Sequence, residues 1–182
     1  MRILGVTASS YGEYTSFESI ATVTSSGSSS TLTFSSISSA YTHLQIRCLY
    51  QIATGGNEDT DFVIRFNSDT GSNYTKHQLY GDGSSVAATG TANTTSIPGG
   101  VSYNSSANAF NVAIIDILDY GNTNKYKTVR VLTGRENNTN GSVFFRSGVW
   151  RNTNAVTTID LVSSANNFNN YTQFALYGIK GA

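Results

Sequence analysis

Apolar and polar side chains alternate along most of this chain, with a period of two residues. The stretch THLQIRCLYQI shows the pattern most clearly. One of its faces carries Leu44, Ile46, Cys48, Tyr50 and Ile52, and the other carries His43, Gln45, Arg47 and Gln51. Successive side chains of a β-strand point to opposite faces. The stretch is therefore predicted to be a strand with one face buried.

Other segments follow the same pattern. In DFVIRF, Phe62, Ile64 and Phe66 are predicted to face the core. VAIIDIL is apolar on both faces apart from Asp116, which predicts a central strand covered on both sides. Further strands are predicted at TVRVL, SVFFRSGVW, AVTTIDLV and YTQFALYGI. Segments rich in Gly, Asn and Asp separate them, as expected of turns, and no helix is predicted.

This spacing of strands and turns predicts an all-β fold, a single antiparallel β-sandwich or jelly roll of about eight strands. A chain of 182 residues suits one domain. Residues 1–16 do not fit the pattern and are predicted to form an extended N-terminal arm, so the sandwich domain covers residues 17–182. We expect the arm to be held by its own subunit, a sister subunit or another protein. Its candidate partner-binding residues are Ile3, Leu4, Val6, Tyr11 and Tyr14.

Charge excludes some classes of partner. Charged residues make up 12% of the chain and their formal charges sum to zero. A protein that binds nucleic acid or an anionic membrane usually has a basic surplus. No stretch approaches the roughly 20 apolar residues of a membrane span, and the apolar run at the N-terminus is too short for a signal peptide. We therefore expect a protein made in a cytoplasm, with neither nucleic acid nor membrane as its partner.

One polar segment invites comparison with a calcium-binding loop, since Asn67, Asp69, Gly71 and Asn73 occupy every second position. An EF-hand loop beginning at Asn67 would need an oxygen ligand at its fifth position and a glutamate at its twelfth. Those positions hold Gly71 and Gln78. We therefore interpret the segment as a turn between strands, in which Gly71 can take a positive φ, and we expect no metal site.

The candidate catalytic groups are few. His43 and His77 are the only histidines, and neither lies beside a nucleophile motif. Asp116 is expected to form a structural ion pair with Arg130 or Arg47, because a carboxylate among isoleucines needs a partner. The single cysteine is expected to be a buried, inert thiol. The sequence thus predicts no catalytic residue, no cofactor and no enzymatic activity.

Aromatic residues are the remaining candidates for a binding site. Tyr103 and Trp150 are expected to be exposed, whereas most other aromatic residues alternate into the core. Exposed aromatic side chains on a β scaffold mark either a protein interface or a platform for sugars. The sequence leaves both alternatives open.

A collinear series of segments resembles a family of small virion structural proteins of tailed bacteriophages, including cyanophages. The series consists of FESIATVT, TLTFSSISSAYTHLQIR, RFNSDTGSNY, HQLYGDGSS, IDILDYGNTNKYKTVR, GVWRNTNAVTTIDL and YTQFALYGIKG. The likeness extends from Phe17 to Gly181, and the order of the segments carries it rather than any single motif. The resemblance implies a β-sandwich or jelly roll on the phage particle, with no catalytic residues.

Two functions follow from this resemblance as expectations. The first is a capsid decoration (cement) protein that binds and stabilises the lattice of the major capsid protein. Such a protein would form a homotrimer and lie on the capsid surface of the virion after synthesis in the host cytoplasm. The alternative is a tail- or fibre-associated virion protein that binds host surface glycan through loops carrying Tyr103 and Trp150. Neither function calls for a cofactor.

Overall fold

The computed structural model describes residues 16–53, 59–103, 108–136 and 140–181, except the side chains of Asp59 and Tyr103. These residues form twelve β-strands and no helix, so the all-β prediction is confirmed and the predicted number of about eight strands is too low. The strands are β1 (Phe17–Thr24), β2 (Thr31–Phe34), β3 (His43–Tyr50), β4 (Asp59–Phe66), β5 (Tyr74–Gly81), β6 (Val86–Thr94), β7 (Ile97–Tyr103), β8 (Asn111–Leu118), β9 (Lys127–Glu136), β10 (Gly141–Trp150), β11 (Ile159–Ser163) and β12 (Gln173–Ile179).

The strands form two antiparallel sheets. The larger sheet has eight strands in the order β1-β12-β3-β8-β9-β10-β5-β6, and the smaller has four in the order β2-β11-β4-β7. All the paired strands are antiparallel. Consecutive strands β8, β9 and β10 form a meander in the middle of the larger sheet. The two sheets do not have equal width.

One hydrophobic core lies between the two sheets. The residues that were predicted to face the core in β3 and β4 are buried. Phe62 lies at the centre of an aromatic cluster, with ring centroids 4.8 Å from Tyr50, 6.2 Å from Phe168 and 5.3 Å from Phe174. The cluster joins residues of both sheets and the segment before β12, so it holds the sandwich together.

Strand β7 lies unusually close to this cluster. A Cβ atom on Gly99 would lie 2.1 Å from the Phe62 ring, and one on Gly100 would lie 2.3 Å from the Tyr50 hydroxyl oxygen. That hydroxyl donates a hydrogen bond of 2.8 Å to the carbonyl oxygen of Val101. Glycine is required here for space, and the resulting lack of alternating side chains explains why β7 was not predicted from the sequence.

The prediction that VAIIDIL is covered on both sides is wrong. In β8, alternate residues from Ala113 to Ile117 pack into the core, whereas Val112, Ile114 and Leu118 are exposed on the opposite face. The four-stranded sheet packs against the inner face of the larger sheet. Among the described residues, no second layer covers the outer face.

Candidate functional site

The outer face of the eight-stranded sheet carries many exposed apolar side chains. Single exposed apolar residues are common on soluble proteins, but a contiguous set of them marks an interaction surface. Eight of these side chains are between 42% and 75% exposed, namely Leu49, Leu79, Val86, Val112, Ile114, Leu132, Val143 and Phe145.

Strand register places these side chains in two adjacent rows that cross six strands. The first row consists of Ile114, Leu132, Phe145, Leu79 and Ala88. The second row lies two residues further along each strand and consists of Leu49, Val112, Gly134, Val143, Gly81 and Val86. We call these eleven residues the apolar stripe. With strands about 4.8 Å apart and rows about 6.8 Å apart, the apolar stripe measures about 24 Å by 14 Å.

A polar row borders the apolar stripe on one side. It consists of Gln45, Asp116, Arg130, Ser147 and His77. Within this row, Nη2 of Arg130 lies 3.0 Å from Oδ2 of Asp116, and Nε2 of Gln45 donates a 2.9 Å hydrogen bond to Oδ1. The predicted ion pair between Asp116 and Arg130 is thereby confirmed. The border is polar, but its central charges neutralise each other.

The end of the apolar stripe near β1 is closed by a cation and two aromatic rings. Arg47 lies beside Ile114 in the register of β3 and β8. Its guanidinium carbon lies 5.4 Å from the ring centroid of Phe17 and 5.5 Å from that of Tyr177. These two rings stack with their centroids 4.8 Å apart. A guanidinium held in this way over aromatic faces is fixed in position.

The opposite end of the apolar stripe opens into a shallow hollow of about 410 Å³. Its apolar lining comes from Leu79, Ala88, Gly90 and Phe145. The imidazole ring of His77 lies over Gly90, where a Cβ atom would be 2.3 Å from the ring. The hollow is wide and mainly apolar, a shape that accepts a bulky apolar side chain of another protein.

On the inner face of the same sheet, a buried cation links the two sheets. Arg146 is 2% exposed, and its Nε donates a 3.2 Å hydrogen bond to Oε1 of Gln78. Its Nη2 lies 3.6 Å from Oδ1 of Asp61 in the smaller sheet. Burial lowers the pKa of Arg146, and the Asp61 carboxylate opposes this effect. A polar cavity of about 160 Å³ lies beside Gln78, Asp61 and Lys76. This arrangement ties β10 to β4 across the interior.

The expectation that Trp150 is exposed is wrong. Trp150 is 1% exposed, and its ring centroid lies 5.7 Å from that of Phe66 and 6.4 Å from that of Tyr74. The alternation of β10 continues to its last residue, so Trp150 faces inward together with Phe144 and Arg146. Counting in twos along SVFFRSGVW would have detected this burial.

The other predicted binding residues lie beyond what the structure describes. Tyr103 is the last residue of β7, and its side chain is not among the described atoms. The five candidate residues of the arm also lie outside the described residues, in the segment 1–15. They are Ile3, Leu4, Val6, Tyr11 and Tyr14. Their role as a partner-binding set stays a prediction.

The segment first compared with a calcium loop forms a hydrogen-bonded turn. The carboxylate of Asp69 accepts hydrogen bonds from Gly71 N at 2.8 Å and Asn73 Nδ2 at 3.0 Å. The positive φ angles lie at Asn67 (50°) and Ser68 (54°) rather than at Gly71. Across the described parts of the chain, no group of three or more His, Cys, Asp or Glu residues is placed to bind a metal ion.

The histidines have structural surroundings. Nδ1 of His43 accepts a 3.0 Å hydrogen bond from the backbone N–H of Asp119 and lies 3.6 Å from Oδ1 of that residue. His77 belongs to the polar border of the apolar stripe.

Within the described ranges, no helix is long and apolar enough to cross a membrane.

The apolar stripe itself was not predicted from the sequence. Its residues come from segments such as VAIIDIL and SVFFRSGVW, whose apolar side chains on both faces indicate a strand buried on both sides. The signal for an exposed face would have been the absence of any predicted helix or further sheet to cover it, since a two-layer sandwich leaves the outer face of each sheet uncovered.

Comparison with models of protein families, with curated proteins and with solved structures finds no significant match. The resemblance to phage virion proteins stays a prediction from the sequence.

Proposed function

We propose that this protein is a bacteriophage virion structural protein that decorates the capsid and stabilises the lattice of the major capsid protein. The observation that carries the proposal is the apolar stripe. A rigid sandwich that exposes Ile114, Leu132 and Phe145 in register is suited to lasting contact with other protein surfaces. The collinear resemblance supplies the virion as the place where that contact occurs.

The proposal includes a jelly-roll topology with an N-terminal arm over residues 1–16. Support comes from the strand orders. The smaller sheet has the order β2-β11-β4-β7, and the larger contains β3, the meander β8–β10, then β5 and β6. With the meander counted as one strand, these orders match those expected for the two four-stranded sheets of an eight-stranded jelly roll, which supports the proposal. Strands β1 and β12 then extend the larger sheet at one edge.

Burial of the apolar stripe would contribute a modest free energy for each copy, and repetition of the contact would increase the total. The apolar stripe projects over about 340 Å², and burying apolar surface contributes roughly 25 cal/mol per Å², or about 8 kcal/mol before ordering costs are subtracted. A gain of this size is modest for one subunit. Such contacts between neighbouring copies would be repeated over a symmetric lattice, and the arm would add contacts across subunit boundaries.

The alternative of a tail- or fibre-associated protein that binds host glycan has lost part of its basis. It depended on Tyr103 and Trp150 as exposed aromatic residues, and Trp150 is buried. No described feature specifically favours a glycan. We therefore retain capsid decoration as the proposed function.

Co-sedimentation with expanded, DNA-free heads that lack this protein tests the proposal. Saturation at a large copy number that matches the lattice symmetry is the expected result, and heads that already carry the protein serve as the control. Binding of no copies, or of only a few, would contradict capsid decoration and move the protein to the tail.

Deleting residues 1–16 should leave a folded sandwich that no longer binds heads. Undiminished binding by that variant would show that the arm is not the anchor.

A further inference from the structure

We propose that the apolar stripe binds the same face of a second copy of this chain, in a dimer whose two-fold axis runs parallel to the strands between β8 and β9. The inference rests on the proposed role as an assembly protein and names the partner of the apolar stripe. It leaves the arm available for the capsid lattice.

The position of the axis follows from the order of strands. Four strands (β1, β12, β3 and β8) lie on one side of this axis, and four (β9, β10, β5 and β6) lie on the other. Rotation about it places β8 over β9 of the second copy and β3 over β10. Because the axis is parallel to the strands, each row of side chains stays over the same row. In the central strands β8 and β9, apolar side chains therefore meet apolar side chains, whereas Leu79 and Val86 at the far end lie over Ala175 and Thr24 of the second copy.

The facing residues are complementary in size. Ile114 lies over Leu132 of the second copy, and Leu49 lies over Val143. Val112 lies over Gly134, which has no side chain and leaves space for it. At the closed end of the apolar stripe, Arg47 lies over Phe145 of the second copy, an arrangement that supports a cation–π contact. Face-to-face sheets about 10 Å apart pack side chains in this way.

Charge selects this axis among the alternatives. It places Asp116 opposite Arg130 of the second copy, and Arg130 opposite Asp116. The pair that is 3.0 Å apart within each chain thereby becomes part of a square of four alternating charges. An axis along β8 would instead place Asp116 over its own counterpart, and an axis perpendicular to the strands would place β8 over β8 of the second copy, so that Asp116 could not face Arg130. Among axes parallel to the strands, only the one between β8 and β9 places Asp116 over Arg130 of the second copy, whereas like charges brought together oppose association.

The available area is sufficient. Six strands centred on the axis and four rows of side chains cover roughly 800 Å², from the strand and row spacings. Stable interfaces bury about 800 Å² on each partner. The part of the apolar stripe on β3, β8, β9 and β10 supplies the centre of this footprint, and the row of Asp116 and Arg130 lies within it as a polar flank. The footprint thus resembles the usual anatomy of an interface, with an apolar centre beside polar surroundings.

Sedimentation equilibrium of the full-length protein tests the association. The expected mass is that of two chains. Leu132→Lys should weaken self-association at least ~100-fold, since it buries an unpaired charge at the centre of the interface. Tyr171→Lys, which changes an exposed aromatic residue in the turn before β12, should leave the dimer intact. A monomer at all concentrations, or the trimer expected from the resemblance, would overturn the proposal.

A mixing experiment tests the axis itself. Asp116→Arg and Arg130→Asp should each give a folded monomer, because each homodimer would gather four like charges. An equimolar mixture of the two variants should form a heterodimer, because every charge then faces an opposite one. Circular dichroism and the melting temperature of each variant check folding. Failure of the mixture to associate, while both variants are folded, would refute this axis. Head binding by a protein that forms no dimer would support capsid decoration and contradict the dimer. A dimer that does not bind heads would support the dimer and contradict capsid decoration.

Discussion

The indole nitrogen of Trp150 donates a 2.7 Å hydrogen bond to Oδ2 of Asp69, and this bond joins the turn after β4 to the buried end of β10. The same carboxylate accepts hydrogen bonds from Gly71 N and Asn73 Nδ2. The asparagine- and aspartate-rich segment is therefore part of the structural support of the sandwich. Trp150 is buried, so Asp69 supplies a partner that its N–H group would otherwise lack.

Asp69→Ala should lower the free energy of unfolding by about 2–3 kcal/mol, because it removes charge-assisted hydrogen bonds and leaves a buried N–H group without its acceptor. Urea denaturation followed by tryptophan fluorescence measures this directly.

Asp82→Ala is the matched control. Asp82 accepts hydrogen bonds from the backbone N–H groups of Ser84 and Ser85 in the turn after β5, where it is exposed. Its removal should have a much smaller effect. Equal losses in the two variants would show that the link to Trp150 contributes nothing beyond turn formation.

The pKa of Asp69 predicts part of the acid sensitivity. Burial acts to raise this pKa, but hydrogen bonds from Trp150, Asn73 and Gly71 outweigh it and hold the pKa below its ordinary value. The unfolded chain therefore takes up this proton at a higher pH than the folded protein does. The resulting stability is complete above the ordinary carboxyl pKa of about 4 and is lost as the pH falls through the folded value.

Asp69→Asn should reduce the difference in unfolding free energy between pH 7 and pH 3. Chemical denaturation at both pH values gives this difference for the variant and the unchanged protein. An identical pH dependence in both would contradict the lowered pKa.

Lys127 is fully buried, and its ammonium group donates to the carbonyl oxygens of Asn122 at 2.6 Å, Lys125 at 2.8 Å and Thr153 at 3.0 Å. Burial lowers the pKa of this ammonium, and Asp119 opposes that effect. Lys127→Met should cost about 2–4 kcal/mol of stability, since three carbonyl groups lose their donor. Thermal or urea unfolding measures the cost.

Lys125→Met provides the same chemical change at an exposed position. Lys125 pairs with Oδ2 of Asp119 at 2.8 Å, but its side chain is 61% exposed. An exposed ion pair contributes about 1 kcal/mol or less. Lys127→Met should therefore lower the stability more than Lys125→Met does. The reverse order would mean that the three carbonyl groups find other hydrogen-bond donors.

Cys48 should be unreactive in the folded protein. It is buried on the inner face of β3, and burial raises the pKa of its thiol well above the ordinary value. Reaction with a thiol reagent requires the thiolate and access to it, so we expect modification at the rate of unfolding. The check is the reaction rate as a function of urea concentration. Rapid modification in buffer alone would show that the core beside β3 opens locally.

Several elements could be predicted because their signal is local. Strands β3 and β4 follow the alternation except at Leu49 and Val63, and the residues assigned to their inner faces are buried. Strand β6, with the sequence VAATGTANT, and the glycine-containing β7 carry no such alternation, so they were missed. They are strands because neighbouring strands supply hydrogen-bond partners, and that information lies far away in the chain.

The candidate site was less accessible to sequence reasoning. Ile114, Leu132 and Phe145 have the residue types of a buried strand, and Trp150 was assigned to the surface although it continues the inner face of β10. The ion pair of Asp116 and Arg130 was predictable, because a carboxylate among isoleucines needs a partner. The position of this pair beside an exposed apolar surface could not be predicted.

The sequence by itself determined that this protein is all-β and which side chains of the regular strands share a face, because alternation is a property of neighbouring residues. Only the tertiary structure decided which of those faces is covered. The four-stranded sheet packs against one face of the eight-stranded sheet, and among the described residues no further layer packs against the other face. The width and pairing of the sheets depend on contacts between distant segments, and those contacts leave the apolar stripe exposed.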